Sequence, residues 1–181
     1  DLFISIHCNA IAKKHAHKAF GTETYVLGLH RAASNLEVSK RENEAVLLES
    51  DYKSNYDGFD PNSPETHIML SLIQNAYLNQ SIAFATKIEK QFKTATSRTS
   101  RGVKQAGFLV LRATTMPSVL IEAGFLSNTN EENFLRTERG QYQMANAIFS
   151  AFSEYRSEVE MIENEKGPKP MMVAYKANSA D

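Results

Sequence analysis

The chain lacks the sequence features that are typical of several other classes of protein. Its 181 residues contain one cysteine, Cys8, so an internal disulfide is excluded. No apolar run approaches the ~20 residues of a membrane-spanning helix, and no basic segment precedes the first apolar residues as in a signal peptide. The formal net charge is −1, which argues against nucleic-acid binding, because that function normally needs a basic surface.

What is present is typical of one globular domain. Hydrophobic residues make up 42% and charged residues 23% of the chain, and the length is sufficient to bury a core. The chain opens directly on the apolar segment DLFISIH, although a buried strand normally follows a turn or a cap. We therefore expect the sequence to be a fragment whose natural beginning lies upstream of Asp1.

Four segments have the apolar pattern of β-strands. Turn-forming and helix-breaking residues bound them, and contiguous apolar strands usually lie in a sheet that is covered on both faces. The predicted strands are residues 1–10 (DLFISIHCNA), 21–29 (GTETYVLGL), 107–111 (GFLVL) and 118–125 (SVLIEAGF).

Helices are predicted between and after the strands. The apolar residues of the second and third recur at three- and four-residue steps, the spacing of one helical face. Ser63 followed by Pro64 gives the second helix a favourable N-cap and first position. The predicted helices cover residues 31–50, 63–94 and 138–155. The buried face of the last helix is predicted at Tyr142, Ala145, Ile148, Phe149 and Phe152.

The remaining segments are predicted to be connections. Residues 51–65 and 96–102 (TSRTSRG) are rich in loop-forming residues, and no amphipathic period continues beyond Ser157. Strands that alternate with helices predict an α/β domain with a largely parallel sheet. We predict that this domain covers residues 1–156 and that residues 157–181 form a linker or tail.

Two predicted strands end in residues that can carry chemistry. The first strand runs into His7, and the last one places Glu122 after three apolar residues. Reactive groups collect beyond the carboxyl ends of parallel strands, where a carboxylate is costly to bury without a partner or a metal. An imidazole and a carboxylate together suit a metal-activated water with a general base. Structural roles also fit both residues, and no HExxH or paired CxxC motif accompanies them.

Three segments, in this order, resemble a known enzyme family. They are DLFISIHCNA, GTETYVL and GVKQAGFLVLRATTMPSVLIEAGFLSNTNEENFL. Over roughly residues 1–155 the chain resembles the zinc-dependent N-acetylmuramoyl-L-alanine amidases of bacterial cell-wall remodelling, of the cell-separation type. The resemblance implies a zinc-hydrolase/phosphorylase-like α/β fold, with a mostly parallel twisted sheet flanked by helices. It also implies hydrolysis of the peptidoglycan amide bond between N-acetylmuramic acid and L-alanine.

The family's motifs imply roles for the two strand-end residues. SIHxNA places a zinc-ligating histidine at His7, and PSxLxExGFxSN places the catalytic glutamate at Glu122. In this role Glu122 would deprotonate the attacking water and deliver the proton to the leaving nitrogen. The other zinc ligands, one histidine and one glutamate, are expected upstream of residue 1, together with the first strand and helix of the fold. By itself the chain is therefore expected to be inactive.

Other functions stay open beside this one. The chain could be a non-catalytic peptidoglycan-binding remnant of the same fold, or a metallopeptidase of related fold that cuts a different amide. The resemblance implies peptidoglycan as a partner and allows an activator protein. It also implies a periplasmic or extracellular location, with a signal sequence upstream of Asp1.

Three further polar residues are weaker candidates for the site. Asn9 could orient the loop after His7, although capping the turn is the simpler role. Glu23 and Gln105 could contact the peptide of the substrate, although an exposed strand position also explains Glu23. Cys8 is not a candidate, because strand alternation sends its side chain to the face opposite His7.

Residues 37–66 are predicted to be an insert with a regulatory role. Some members of the family carry an inserted helix at this point that lies across the zinc site. Glu42, Glu44 or Glu49 could then supply an additional carboxylate to the zinc and block access of water. An ordinary surface helix with mixed charges is the simpler explanation of the same residues.

Overall fold

Strands and helices alternate along the chain in the computed structural model, which describes residues 1–28, 33–48, 50–51, 77–112 and 114–165. The strands are β1 (Phe3–Asn9), β2 (Thr22–Leu27), β3 (Ser100–Ala106) and β4 (Ser118–Phe125). The α-helices are α1 (Ala33–Asn43), α2 (Leu78–Ala95), α3 (Leu109–Arg112), α4 (Thr129–Leu135) and α5 (Glu138–Glu165). Two 3-10 segments cover Lys13–Lys18 and Glu44–Leu48.

The four described strands form one mixed sheet in the order β1-β4-β2-β3. β1 pairs with β4 and β2 pairs with β3 in parallel, whereas β2 and β4 are antiparallel. The predicted α/β class is confirmed, and two of the three strand pairings are parallel. The antiparallel pairing places Glu23, near the start of β2, opposite Glu122 in the second half of β4.

Side-chain alternation gives the sheet two faces with different coverings. On the face that we call the helix face, α2 and α5 pack on the sheet. Its core is Val26, Phe84, Ala85, Ile88, Phe92, Val119, Ile121, Ala123, Met144, Ala147, Ala151 and Tyr155. The opposite face, which we call the site face, has a smaller core next to α3 and α1. That core is Tyr25, Leu27, Ala106, Phe108, Leu109, Leu111 and Leu120.

The end of α1 is fastened to the turn before α3 by Asn43. Its Nδ2 donates to the carbonyl oxygen of Gly107 at 2.8 Å, and its Oδ1 accepts from the N–H of Leu109 at 2.8 Å. Because Asn43 is buried, it satisfies two backbone groups that water does not reach. This contact holds the last residues of α1 near the site face.

A buried carboxylate ties α2 to the sheet. Glu89 accepts hydrogen bonds from the hydroxyls of Thr22 at 3.1 Å, Thr24 at 2.7 Å and Ser100 at 2.6 Å. Burial raises the pKa of the Glu89 carboxyl, because the charged form is no longer solvated by water. The three hydroxyls offset that cost and join α2, β2 and β3 through one side chain.

The Glu89→Ala variant should therefore lose about 2–3 kcal/mol of unfolding free energy, because three buried hydroxyls lose their acceptor. Urea denaturation of both proteins measures the difference. Glu160→Ala is the matched control, since Glu160 forms only an exposed ion pair with Arg156 and such pairs contribute little. Equal midpoints for the two variants would contradict the role assigned to Glu89.

The prediction of the third strand is wrong. Residues 107–111, predicted to be a strand, lie largely in the short helix α3, and β3 instead begins within the predicted connection 96–102. A short apolar run does not distinguish a strand from a buried helical turn. β3 has mostly polar, half-buried residues at one edge of the described sheet, so it lacks the apolar pattern of the other strands.

The last helix is longer than predicted and buries different residues. It continues to Glu165, so residues 157–165, predicted to be a linker, are helical. Of the side chains predicted to be buried, Ile148 and Phe152 pack partly against the core, whereas Tyr142, Ala145 and Phe149 are exposed. The buried ones are Met144, Ala147, Ala151 and Tyr155. The two small alanines allow α5 to approach its neighbour closely.

The other predicted helices are confirmed in part. Residues 31–50 correspond to α1 and the 3-10 segment Glu44–Leu48, and residues 63–94 correspond to α2 over its described length. The predicted start at Ser63 and the tail 166–181 lie outside the described residues. Helix α4 is not predicted, although Asn128 caps it by accepting from the N–H of Asn130 at 3.0 Å. No helix in the described part of the chain has the length and apolarity needed to cross a bilayer.

Candidate functional site

Three ionisable side chains form a row across the site face. His7 on β1 is the register partner of Glu122 on β4, and Glu122 is the register partner of Glu23 on β2. Register partners on adjacent strands project from the same face, with Cβ atoms about 5 Å apart. The structure thus brings together the two strand-end residues that the sequence singles out, and adds Glu23 beside them.

Glu122 is the most unusual member of this row. It is fully buried, and neither carboxylate oxygen has a hydrogen-bond partner among the described residues. Its pKa is raised to about 7, first by burial and then by the nearby Glu42 carboxylate, whereas His7 and Arg41 oppose the shift. A buried carboxylate without partners lowers stability, which is typical of a group retained for chemistry.

Helix α1 reaches the row through Glu42. Oε2 of Glu42 lies 2.9 Å from Nδ1 of His7, and the two side chains are 21% and 35% exposed. The hydrogen bond with Glu42 raises the pKa of the His7 imidazole, and the same bond lowers the pKa of the Glu42 carboxyl. Of the other regulatory candidates, Glu44 is exposed and has no hydrogen bond or ion pair among the described residues, and Glu49 lies outside them.

Asn9 connects the sheet to α1. Its Nδ2 donates to Oε1 of Glu23 at 2.7 Å, and its Oδ1 accepts from Nη2 of Arg41 at 2.9 Å and from the N–H of Ala10 at 2.7 Å. The register of β1 shifts between His7 and Asn9, as in a β-bulge that changes the direction of a side chain beside a site. Asn9 therefore holds the turn after β1 and also positions Glu23.

Glu23 is buried rather than exposed, with 2% of its surface accessible. Two basic residues of β3 balance its charge: Nε of Arg101 lies 3.1 Å from Oε2, and Nζ of Lys104 also contacts Oε2. Sequence reasoning missed both cations, because Arg101 lies in the segment predicted to be a connection. If that segment had been assigned as a strand, the two basic residues on either side of Gly102 and Val103 would have been recognised as candidates.

Gln105 is not brought to the site. It pairs with Val26, whose side chain lies in the helix-face core, and alternation places Gln105 on that same face. There it lines a cavity of ≈ 320 Å³ with Ile82 and Val103. This placement does not support the predicted contact of Gln105 with substrate. Cys8 is exposed and points away from the row, as alternation predicts.

A groove of ≈ 750 Å³ opens beside the row, between the site face and α1. Its floor is formed by strand residues, and one wall is formed by α1. Its polar, charged and aromatic lining residues are Asn9, Glu23, Tyr25, Arg101, Lys104 and Phe125 from the strands, and Glu37, Lys40, Arg41 and Glu44 from α1 and the 3-10 segment after it. A channel of this kind has room for an extended chain beside Glu23, the member of the row that lines it.

The row contains donor types that bind metal ions in proteins. Within the described residues, no three His, Cys, Asp or Glu side chains are grouped so that they could hold a metal ion. The donors that are present, an imidazole and carboxylates, are nevertheless those that zinc takes in proteins. The two unpartnered oxygens of Glu122 beside His7 also fit a site where a further polar group is bound.

The fold and this row define an α/β domain with a strand-end imidazole and a buried carboxylate on one face of its sheet. The chain belongs to the N-acetylmuramoyl-L-alanine amidase family, whose sequence pattern matches residues 1–154. It is 30% identical over 157 residues to the amidase AmiA of Escherichia coli K12, covering 86% of this chain and 52% of AmiA. It is 31% identical over 162 residues to AmiC of Neisseria meningitidis, covering 86% and 36%.

Solved amidase structures have the same fold. The catalytic domain of CwlV from Bacillus (Paenibacillus) polymyxa var. colistinus superposes with a TM-score of 0.53 at 28% identity, over 86% of this chain and 57% of that one. CwlD from Clostridioides difficile, solved in complex with the GerS lipoprotein, gives 0.54 at 23% identity, over 86% and 54%. The chain thus spans about half the length of AmiA and of these structures.

Proposed function

We propose that the protein to which this chain belongs hydrolyses the amide bond between N-acetylmuramic acid and L-alanine in peptidoglycan, with Glu122 as catalytic base. The observation that carries this proposal is the buried, unpartnered Glu122 beside His7, in a chain of the amidase family. Zinc is the cofactor that we propose, with His7 as one protein ligand. We propose that the other ligands, one histidine and one glutamate, come from outside these 181 residues, and we therefore expect the isolated chain to be inactive.

In this reaction the residues of the chain have separate tasks. A bound zinc ion would polarise the scissile carbonyl and acidify a water. Glu122 accepts the proton of the attacking water and returns it to the leaving alanine nitrogen, for which a pKa near the working pH is suitable. Because Glu122 lies beside His7 and away from bulk water, the proton passes only between the attacking water, Glu122 and the leaving nitrogen. Asn9 and Glu23 hold the edge of the groove that receives the peptide.

We further propose that α1 is an inhibitory element. In the structure Glu122 is fully buried and Glu42 occupies Nδ1 of His7, so substrate cannot meet the base until α1 moves. An activator protein would displace α1, and the complex of CwlD with GerS is consistent with regulation by a partner. Because the substrate is peptidoglycan, we propose a periplasmic or extracellular location and a role in daughter-cell separation.

Release of dye from labelled peptidoglycan by the full-length gene product tests the function. We expect release that a zinc chelator abolishes and added zinc restores, and little release by the 181-residue chain alone. Mass analysis should show peptides that begin with a free L-alanine amine. Binding to peptidoglycan without release would support the remnant of the same fold, and peptides cut elsewhere would indicate a metallopeptidase. Either result would overturn the proposal.

A further inference from the structure

We propose that Arg101 and Lys104 form a subsite for a single free carboxylate on the peptide part of the substrate, two to three residues beyond the scissile amide. This inference rests on the proposed function. It assigns a task to two cations that hydrolysis itself does not use.

The first argument is charge. Arg101 and Lys104 both contact Glu23, which carries one negative charge, so the cluster retains one positive charge. Glu23 is almost fully buried, whereas Arg101 and Lys104 are 40% and 22% exposed. Among the described residues, neither cation has another carboxylate partner. The remaining positive charge therefore faces the groove, where an anion can reach it.

The second argument is position. β3 lies two strands away from β4, which carries Glu122, and adjacent strands are about 4.8 Å apart. The cations are therefore about 10 Å from the base across the sheet. An extended peptide advances about 3.4 Å per residue. A peptide whose first nitrogen lies at Glu122 thus presents its second or third residue to Arg101 and Lys104.

The third argument is preorganisation. The guanidinium carbon of Arg101 lies 5.1 Å from the ring centroid of Phe125, and Nζ of Lys104 lies 5.7 Å from that of Tyr25. These cation–π contacts and the bonds to Glu23 hold both cations in place before any ligand binds. An anion then meets donors that are already oriented, which favours specific recognition.

The same cluster favours a carboxylate over a phosphate. Glu23 lies directly beneath the two cations and would repel a doubly charged anion more strongly than a singly charged one. One positive charge in excess matches one carboxylate. The chemistry of the site therefore selects a peptide with an acidic residue at the second or third position.

The test is binding of two synthetic peptides to the full-length protein, measured by calorimetry. Both carry L-alanine followed by a D-glutamate linked through its side chain to a third residue, with the α-carboxyl of the glutamate either free or converted to the amide. We expect the free acid to bind on the order of tenfold more tightly. Arg101→Gln and Lys104→Gln should each remove most of this preference and leave binding of the amide within twofold. Arg101→Lys should retain part of it.

Arg156→Gln is the matched control, because it removes an exposed arginine of α5 and should leave both affinities unchanged. Thermal melting shows which variants are folded, and a folded variant at either position decides the question. Equal losses for acid and amide, or no preference in the unmodified protein, would overturn the subsite. The binding assay needs no turnover, so absence of the preference in the unmodified protein beside intact dye release refutes the subsite alone, whereas absence of hydrolysis beside an intact preference refutes the amidase proposal.

Discussion

The Glu122→Gln variant of the full-length protein is expected to lose about 10³-fold in kcat for hydrolysis of the muramoyl-L-alanine amide, while remaining folded. Glutamine has the same shape but cannot accept the proton of the attacking water. Since neither oxygen of Glu122 has a hydrogen-bond partner among the described residues, a neutral amide loses no such bond and avoids burying a charge. The thermal midpoint should therefore stay equal or rise. Initial rates of dye release and thermal melting measure the two effects.

Glu89→Gln is a close control for this variant. Glu89 is also a buried carboxylate, but it lies on the helix face, where three hydroxyls bind it. Its amide variant should keep kcat within about threefold of the unmodified enzyme, since it touches no part of the reaction. If both variants lose activity equally, or if Glu122→Gln retains more than a tenth of the native rate, Glu122 is not the base.

Glu42→Ala is expected to raise the basal kcat by at least about fivefold, the lower end of common coupling energies between a regulatory element and a site. The substitution frees Nδ1 of His7 and removes the contact that draws the end of α1 onto the row. Deleting residues 40–60 should raise the rate further, because it removes the end of α1 as well as the contact of Glu42 with His7. Dye release without any activator, at saturating substrate, measures the basal rate.

Glu44→Ala separates the specific contact from a general change of charge. Glu44 lies two positions further along and has no partner among the described residues, so its variant should keep the basal kcat. A carboxylate on a histidine nitrogen can instead orient a metal ligand and strengthen it. If Glu42→Ala lowers the rate and weakens zinc binding in a folded protein, Glu42 has that orienting role, and α1 is not an inhibitory element.

Much of the fold follows from local patterns. The errors arise where contacts with other elements, rather than a segment's own side chains, decide its structure. β1, β2 and β4 have apolar alternation or continuous apolar runs that predict strands of a covered sheet, and each is present. β3 is polar and lies at the edge of the described sheet, so its identity depends on hydrogen bonds to β2 rather than on its own side chains. The apolar run at 107–111 turns into helix α3 because the small core on the site face accepts it in that form.

In the candidate site too, some residues are indicated by the local sequence, whereas others are revealed only when distant segments pair. His7 and Glu122 are recognisable because each follows an apolar strand, where a polar residue is conspicuous. Arg101 and Lys104 acquire a role only through Glu23, which becomes their partner when β2 and β3 pair. That Glu42, rather than Glu44, meets His7 depends on how α1 is fastened to the sheet, and no periodicity in the helix itself contains that information.

The two hydrogen bonds of Asn43 set a threshold for opening. Lifting α1 away would strip the carbonyl of Gly107 and the amide of Leu109 of their partner at once, at about 1–3 kcal/mol for each group left unsatisfied. Thermal fluctuation alone would thus seldom uncover Glu122. A protein that displaces the helix must bind the opened form more tightly by at least that margin, so a weak, nonspecific encounter would leave Glu122 covered.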